Sequence, residues 1–497
     1  MSLSTAVNSS AVARVLGIET QYKNLRNNTA LILPRRIAVI GQGNTASTYA
    51  TTKLLVTDAQ TVGQTYGFGS PLHLAALQLL PSNGDGVGTI PVVIFPLVDD
   101  AAGVAAAGAI TPTGTATKSG TFRVVINNIL SAQFTVAVGD TVADVTALIT
   151  TAVNGVLKMP VTAVDNSTDV TVTAKWKGAS GNDIYLAISG PSDTGIDFGF
   201  TQPTGGAGNP EIDAALALMG EVWYTDVLLC LNYDDTVALD TIQTEGEGRY
   251  DPLLNIPFTV FRGCTEADRA TAVAVGAART EDRVNIQINA PGCLDLPFTV
   301  AARAVSRIAV RANTTPPRDY GSMELTGITP GEDSEQWGYA DRNVAVLAGS
   351  STTLIRDDVV VLQDVVTHYA PEGDPTPAYR YQVDIVKVQN VTYNLRLAFN
   401  TADWDGAPLI PDDQATTEPT ARKPKDAVAT VGSIMDSFGL KAVISDPDFA
   451  KENTFAEIDD SNPKRLNIST TYKLSGNSNI ISVTQNFGFY YGVSAVS

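Results

Sequence analysis

Between Arg36 and Ala312, short β-branched apolar runs alternate with segments that open on helix-start signals, and few folds tolerate that alternation. Strands are read at Arg36–Ile40, Ile90–Pro96, Val222–Leu231, Ile256–Phe261 and Val284–Ile288. Between them, Ser70 caps a helix with Pro71 at its first position, and Asn209 with Pro210 opens one whose Ile212, Leu216 and Met219 share a face. Thr265–Asp268 cap a third helix running to about Arg279, and Phe298–Ala312 form a fourth. Strand and helix in turn imply right-handed crossovers and a mainly parallel sheet.

The pattern is interrupted at Asp99, where Ala, Gly and Thr take over. Strands at Thr121–Asn127, Ile129–Val138, Val161–Val164, Asp169–Lys175 and Asp183–Ile188 surround one helix from Val142, with Thr141 and Asp144 spaced as a capping box. Thr201–Pro210 reads as a linker, so 99–205 is a β-rich domain inserted into a host, 25–98 and 206–350. Further on, Val344–Ala348, Ile355 and Val359–Leu362 read as short strands and Val383–Leu397 as a helix. Asp374–Ala378 is a Pro-rich loop, and Ala415–Lys425 a polar linker before a helix with Val428, Val431, Met435 and Phe438 on one side, stopping at Gly439.

Both ends carry strand patterns with no evident mate. Leu16, Ile18 and Tyr22 alternate with polar residues, and Leu466–Leu474, the turn-forming Ser475–Asn479 and a second run with Ile481, Val483, Phe487, Phe489 and Tyr491 on one face make a closing ribbon. A two-stranded ribbon is marginal in water, so its apolar face needs a cover. Either it packs on its own domain, or it completes a sheet in a neighbouring copy.

Composition excludes several function classes. A formal charge of −19 argues against a nucleic-acid partner, which needs a basic surface. The longest apolar run, Ile90–Val98, is too short and Pro-broken for membrane insertion, and the first residues lack a signal-peptide pattern. Cys230, Cys264 and Cys293 read as reduced, buried thiols. Of two histidines, His73 sits among leucines as a core or capping residue, and His368 has no metal-ligand or catalytic spacing around it. Gly41-Gln42-Gly43-Asn44-Thr45-Ala46 matches a dinucleotide fingerprint, but the residues after it disfavour the helix that pyrophosphate binding requires. Arg303, Arg307 and Arg311 form one helical stripe, either an internal salt-bridge face or a contact for an acidic neighbour. No catalytic residue, metal ligand or cofactor is identified.

Taken in order, R-V-L-G-I-E-T-Q-Y (14–22), L-P-R-R-I-A-V-I-G-Q-G (33–43), G-F-G-S-P-L-H-L-A (67–75), G-D-T-V-A-D-V (139–145), A-N-T-T-P-P-R-D-Y-G-S-M-E-L-T-G-I (312–328), D-R-N-V-A-V-L-A-G (341–349) and N-P-K-R-L-N-I-S-T-T-Y-K-L (462–474) resemble the contractile tail sheath proteins of bacteriophages, nearest the Mu-like group. The resemblance implies an α/β fold: a subtilisin-like βαβ core without a catalytic triad, the insert as a protruding domain, and 351–478 as an α+β C-terminal domain facing the tail tube. It implies terminal arms, 1–24 and 479–497, that exchange strands between subunits of hexameric rings. The partners implied are further copies of the chain, the tube protein, and baseplate and terminator proteins, in a virion tail assembled in the host cytoplasm. Lys423, Lys425 and Lys441 are then candidates to flank the tube-facing helix. The alternatives are a dinucleotide-binding enzyme using Gly41-Gln42-Gly43, or another virion structural protein.

Overall fold

A computed structural model describes residues 30–371 and 378–489, which fall into two units, 32–394 with 474–489 and 30–31 with 395–473. Leu16, Ile18, Tyr22, Tyr491 and most of the 374–378 loop lie outside the described residues.

The larger unit begins with β1 (Ile37–Gln42), β2 (Leu54–Val56), α1 (Ala59–Tyr66), α2 (Pro71–Leu79) and β3 (Val92–Leu97). Next come β4 (Ala107–Gly114), β5 (Gly120–Ile126), β6 (Ile129–Leu130), β7 (Phe134–Val136), α3 (Val142–Asn154), β8 (Val161–Asp165), β9 (Val170–Ala174), β10 (Leu186–Ser189) and β11 (Ile196–Thr204). The alternation then resumes with α4 (Asp213–Met219), β12 (Asp226–Leu229), α5 (Thr236–Gly248), β13 (Thr259–Cys264), α6 (Arg269–Ala277), β14 (Asn285–Asn289) and α7 (Pro297–Thr314). After α8 (Tyr339–Leu347), the hairpin β15 (Thr352–Arg356) and β16 (Val359–Asp364) leads to α9 (Gln382–Phe399), most of which belongs to this unit.

The central sheet has six strands in the order β14-β13-β12-β1-β3-β2, parallel except for β2 at its edge. Ile37 stands opposite both Asp226 and Val92. Successive side chains of a strand point to opposite faces, and here both faces are covered. Ile37, Val39 and Ile94 join Leu72, Leu79, Val300 and Ile308 in one core. Ala38, Ile40, Val93 and Phe95 join Ile212, Leu216, Met219 and Ile242 in the other. The fold is mixed α/β. Gly263 lets α7 approach the sheet, because a Cβ there would sit 1.8 Å from the Pro297 carbonyl oxygen. At the start of β1, Arg35 grips Asp226 through two bonds of 2.5 and 2.9 Å and donates to Gln389 Oε1 at 2.8 Å, with both ionised side chains wholly buried.

Residues 107–204 build two four-stranded antiparallel sheets, β11-β4-β9-β8 and one centred on β5, with α3 against them. The capping box is present: Thr141 N and Oγ1 donate to Asp144 Oδ2 at 2.9 and 2.7 Å.

Several expectations are corrected. Thr201–Thr204 is the end of β11, paired with β4, and not linker; β4 itself lies in the Ala/Gly/Thr-rich stretch that hid it. Asn209 does not cap α4: its Oδ1 accepts from Ala179 N and its Nδ2 donates to Asp235, so it ties three segments together. Val344–Ala348 is helical, closing on the bond from Ala348 N to Val344 O at 3.0 Å, and only Ala345 of α8 is buried. Leu466–Thr470 does not pair with the residues after Ser475.

The smaller unit holds α10 (Pro424–Leu440), α11 (Pro447–Glu452), β17 (Thr454–Ile458) and β18 (Leu466–Thr470). Val431, Met435 and Phe438 are buried with Ala427 and Ile434, while Val428 is only half-buried. The helix runs one residue past Gly439, and Ala442 takes a φ of 55° as the chain reverses. β17 and β18 form a separate antiparallel ribbon.

Candidate assembly arm and acceptor ribbon

The loop that resembled a cofactor site is closed by its own side chains. β1 ends at Gln42 and the next helix begins only at Ala59, so Gly41–Ala46 does not run directly into a helix as the fingerprint requires. Gly43 N donates to the Tyr49 hydroxyl at 3.0 Å, and Tyr49 donates on to Leu97 O at 2.8 Å. A Cβ on Gly43 would lie 2.3 Å from that ring, so the glycine makes room for tyrosine where pyrophosphate would have to sit. Gln42 is fixed by Asp99 and the Lys177 carbonyl. This packing is that of a plain glycine turn.

The remaining sequence candidates are satisfied internally. Arg303 and Arg307 converge on Asp85, Arg307 with bonds of 2.5 and 2.7 Å, and Arg311 donates to the backbone carbonyl of Asp319 at 2.8 Å; the stripe is bonded internally, its first two arginines by salt bridges. The Arg307 guanidinium holds Asp85 well below the usual carboxylate range. His73 Nδ1 accepts from Gly69 N at 3.1 Å, and burial pushes the ring down to about 4. His368 Nδ1 donates to Gly349 O at 2.6 Å and Nε2 accepts from Arg262 at 2.7 Å, an order fixed because guanidinium only donates. Burial and Arg262 keep it neutral. Cys230, Cys264 and Cys293 are free and buried, and burial pushes the Cys264 thiol up to about 12. Among the described residues no group of His, Cys, Asp and Glu could hold a metal ion, and no helix is long and apolar enough to cross a membrane.

The proposed tube-facing lysines are each engaged by oxygens of their own unit. Lys423 Nζ donates to Gln414 O, Lys425 Nζ reaches Asp412 O at 3.4 Å, and Lys441 Nζ donates to Ala30 O.

Residues 480–489 differ from all of these. Ile481, Val483, Phe487 and Phe489 are 78, 82, 85 and 78% exposed, and no hydrogen bond joins 480–489 to any described residue. Apolar side chains alternate with Ser482, Thr484 and Asn486, a strand pattern without a strand partner. The anchor lies just before it: Lys387 Nζ donates to Ser475 O and Asn477 Oδ1 at 2.6 and 2.7 Å, and Asn477 Nδ2 donates to Pro317 O at 2.8 Å. Sequence reading passed over Lys387, whose only signal was a charge inside an otherwise apolar helical turn.

The β17–β18 ribbon has open edges among the described residues. Bonds from Thr471 N to Asn453 O and from Asp459 N to Arg465 O set the register, so Phe455 and Glu457 exchange bonds with Ser469 and Asn467. Ala456 and Ile458 on one edge, and Leu466 and Ile468 on the other, turn their N–H and C=O groups outward. No described backbone group pairs with them.

No family model matches the chain. A search of curated proteins finds the Mu-like prophage FluMu tail sheath protein of Haemophilus influenzae, 24% identical over 405 residues, which are 78% of this chain and 80% of that protein. The chain resembles a phage tail sheath protein. Solved structures aligned over most of its length include a sheath tail protein of Listeria innocua, at 12% identity and a TM-score of 0.49 over 91% of this chain and 94% of that one. Another is the sheath complex of an extracellular contractile injection system in its contracted state, at 8% identity and a TM-score of 0.47 over 96 and 98%.

Proposed function

We propose that this chain is the structural subunit of a contractile phage tail sheath, and not an enzyme. It polymerises as helically stacked hexameric rings around a tail tube and contracts by rigid-body rearrangement, driving the tube through the host envelope. The observation that carries the reading is the uncovered segment 480–489, a strand in pattern with no mate among the described residues. The open edges of the β17–β18 ribbon supply the mate in a second copy, by strand addition. Each ladder bond so made contributes about 0.5–1.5 kcal/mol net, beyond the apolar face it covers. Leu16, Ile18 and Tyr22 would serve the N-terminal arm in the same way.

On this reading 25–98 with 206–350 is the subtilisin-like core, 99–205 protrudes, and 351–478 faces the tube with Lys423, Lys425 and Lys441 beside α10. Tube, baseplate and terminator proteins are the other partners, and the virion tail is the location, reached by assembly in the host cytoplasm. Filaments sourced from arms explain how a lattice stays joined while domain surfaces slide. Negative-stain microscopy of the purified protein should show striated hollow cylinders. Deleting 480–497 should leave soluble protein that forms none; cylinders assembled by that truncation would refute the arm.

A further inference from the structure

We infer that Lys387 is the positioning residue that fixes the root of the C-terminal arm to the central sheet, an inference that rests on the arm reading above. Lysine is almost never fully buried unless paired, yet the Lys387 side chain has no exposed surface. Its three donors are all used: Asp384 Oδ1 at 2.9 Å, Ser475 O at 2.6 Å and Asn477 Oδ1 at 2.7 Å. Two of those acceptors lie on the terminal segment, 88 and 90 positions away in sequence. Asn477 adds its own bond to Pro317 O.

From 475 to 489 no residue is buried, so apolar packing contributes little and polar contacts such as this clamp hold the stretch. Asn477–Asn479 instead form one wall of a cavity of about 470 Å³ lined by Arg318, Leu354, Arg356 and Leu362, which stands between the strap and the β15–β16 hairpin. The last bond of the clamp region runs from Asn479 N to Asn477 O, and the uncovered residues start at once beyond it.

The clamp continues inward along α9. Two and three residues after Lys387, Gln389 accepts from Arg35 Nη1 at 2.8 Å and donates to Pro257 O at 3.1 Å, and Asn390 Oδ1 accepts from Leu33 N at 2.8 Å. Lys387, Gln389 and Asn390 are all buried. One polar turn of α9 therefore joins the arm's root to the segment just before β1 and to the segment before β13. A pull on the arm is delivered to the segments that lead into β1 and β13.

The test uses the full-length soluble protein kept below its polymerisation threshold. Lys387→Met keeps the stem packing and removes the donors; Asn477→Ala removes the other half of the clamp from a half-exposed position, so it reports even if Lys387→Met fails to fold. Hydrogen exchange at 475–479 should quicken at least about tenfold in both variants, since a bond to a charged group is lost, with core amides and melting temperature unchanged. Pelleting above threshold should show weakened polymerisation although the arm is intact. Unchanged exchange at 475–479 would overturn the anchor, and so would faster exchange with wild-type polymerisation. Neither outcome touches the arm reading itself, which stands or falls on the deletion of 480–497.

Discussion

Phe487→Ser separates an assembly contact from a folding contact, because Phe487 is 85% exposed and has no partner to lose among the described residues. Fully burying a phenylalanine from water is worth about 1.5–3 kcal/mol, so covering the exposed fraction in a neighbouring copy is worth about 2 kcal/mol. With one C-terminal arm per subunit, that loss lowers the association constant by about 30-fold. The concentration at which pelletable polymer first forms should rise by the same factor. Protomer stability in urea should move by less than about 0.5 kcal/mol, as for other surface changes. Asn486→Ser, on the opposite face of the same strand pattern, should leave the threshold within about twofold. Polymer forming at the wild-type threshold in Phe487→Ser would refute the buried-face argument. Substantial loss of protomer stability would refute it too, by showing that the ring is covered at home.

Other outcomes concern the core. Arg35→Ala strands the Asp226 carboxylate in the interior and should cost about 3–5 kcal/mol in chemical denaturation. Gly263→Ala drives a Cβ into the Pro297 carbonyl and should cost about 1–3 kcal/mol by the same assay. Burial, then the charges of Asp234 and Glu266, push the Asp183 carboxyl up to about 7. A carboxyl raised on folding favours the native state at low pH and loses that contribution as pH climbs from about 4 to about 7, so Asp183→Asn should stabilise the protein at pH 8 and do little at pH 4. Asp85 is shifted the other way: its contribution is present above the ordinary carboxylate range and lost as pH falls below it, so Asp85→Asn should flatten the acid limb of the stability profile.

The central sheet was legible because each of its signals is local. The β1 and β3 runs are apolar on both faces, as strands covered on both sides must be, and Ser70-Pro71 starts α2 by chemistry confined to one turn. The Arg303 stripe was readable for its helical period, but Asp85, more than two hundred residues earlier, was not, since ion pairing is a tertiary fact. Where local composition and tertiary pairing disagreed, pairing won. Ala107–Gly114 is poor in strand formers yet is held by β11 and β9 on its two sides, and Leu466–Thr470 takes β17 as partner although the downstream run has the more apolar face.

That last choice has a consequence for assembly. Had Ile481–Phe489 folded back on Leu466–Thr470, it would have filled one edge of the ribbon and hidden its own apolar side within the protomer. By pairing β18 with β17, the chain leaves three things open among the described residues: two ribbon edges and one strand-patterned segment. A long exposed apolar edge strand is an aggregation hazard unless something specific covers it. The arrangement is self-complementary, and a donor segment that leaves one copy to enter another makes a heterologous contact, which propagates when it does not close into a ring. On the proposed arm reading, an open lattice of identical copies follows from where one strand found its partner.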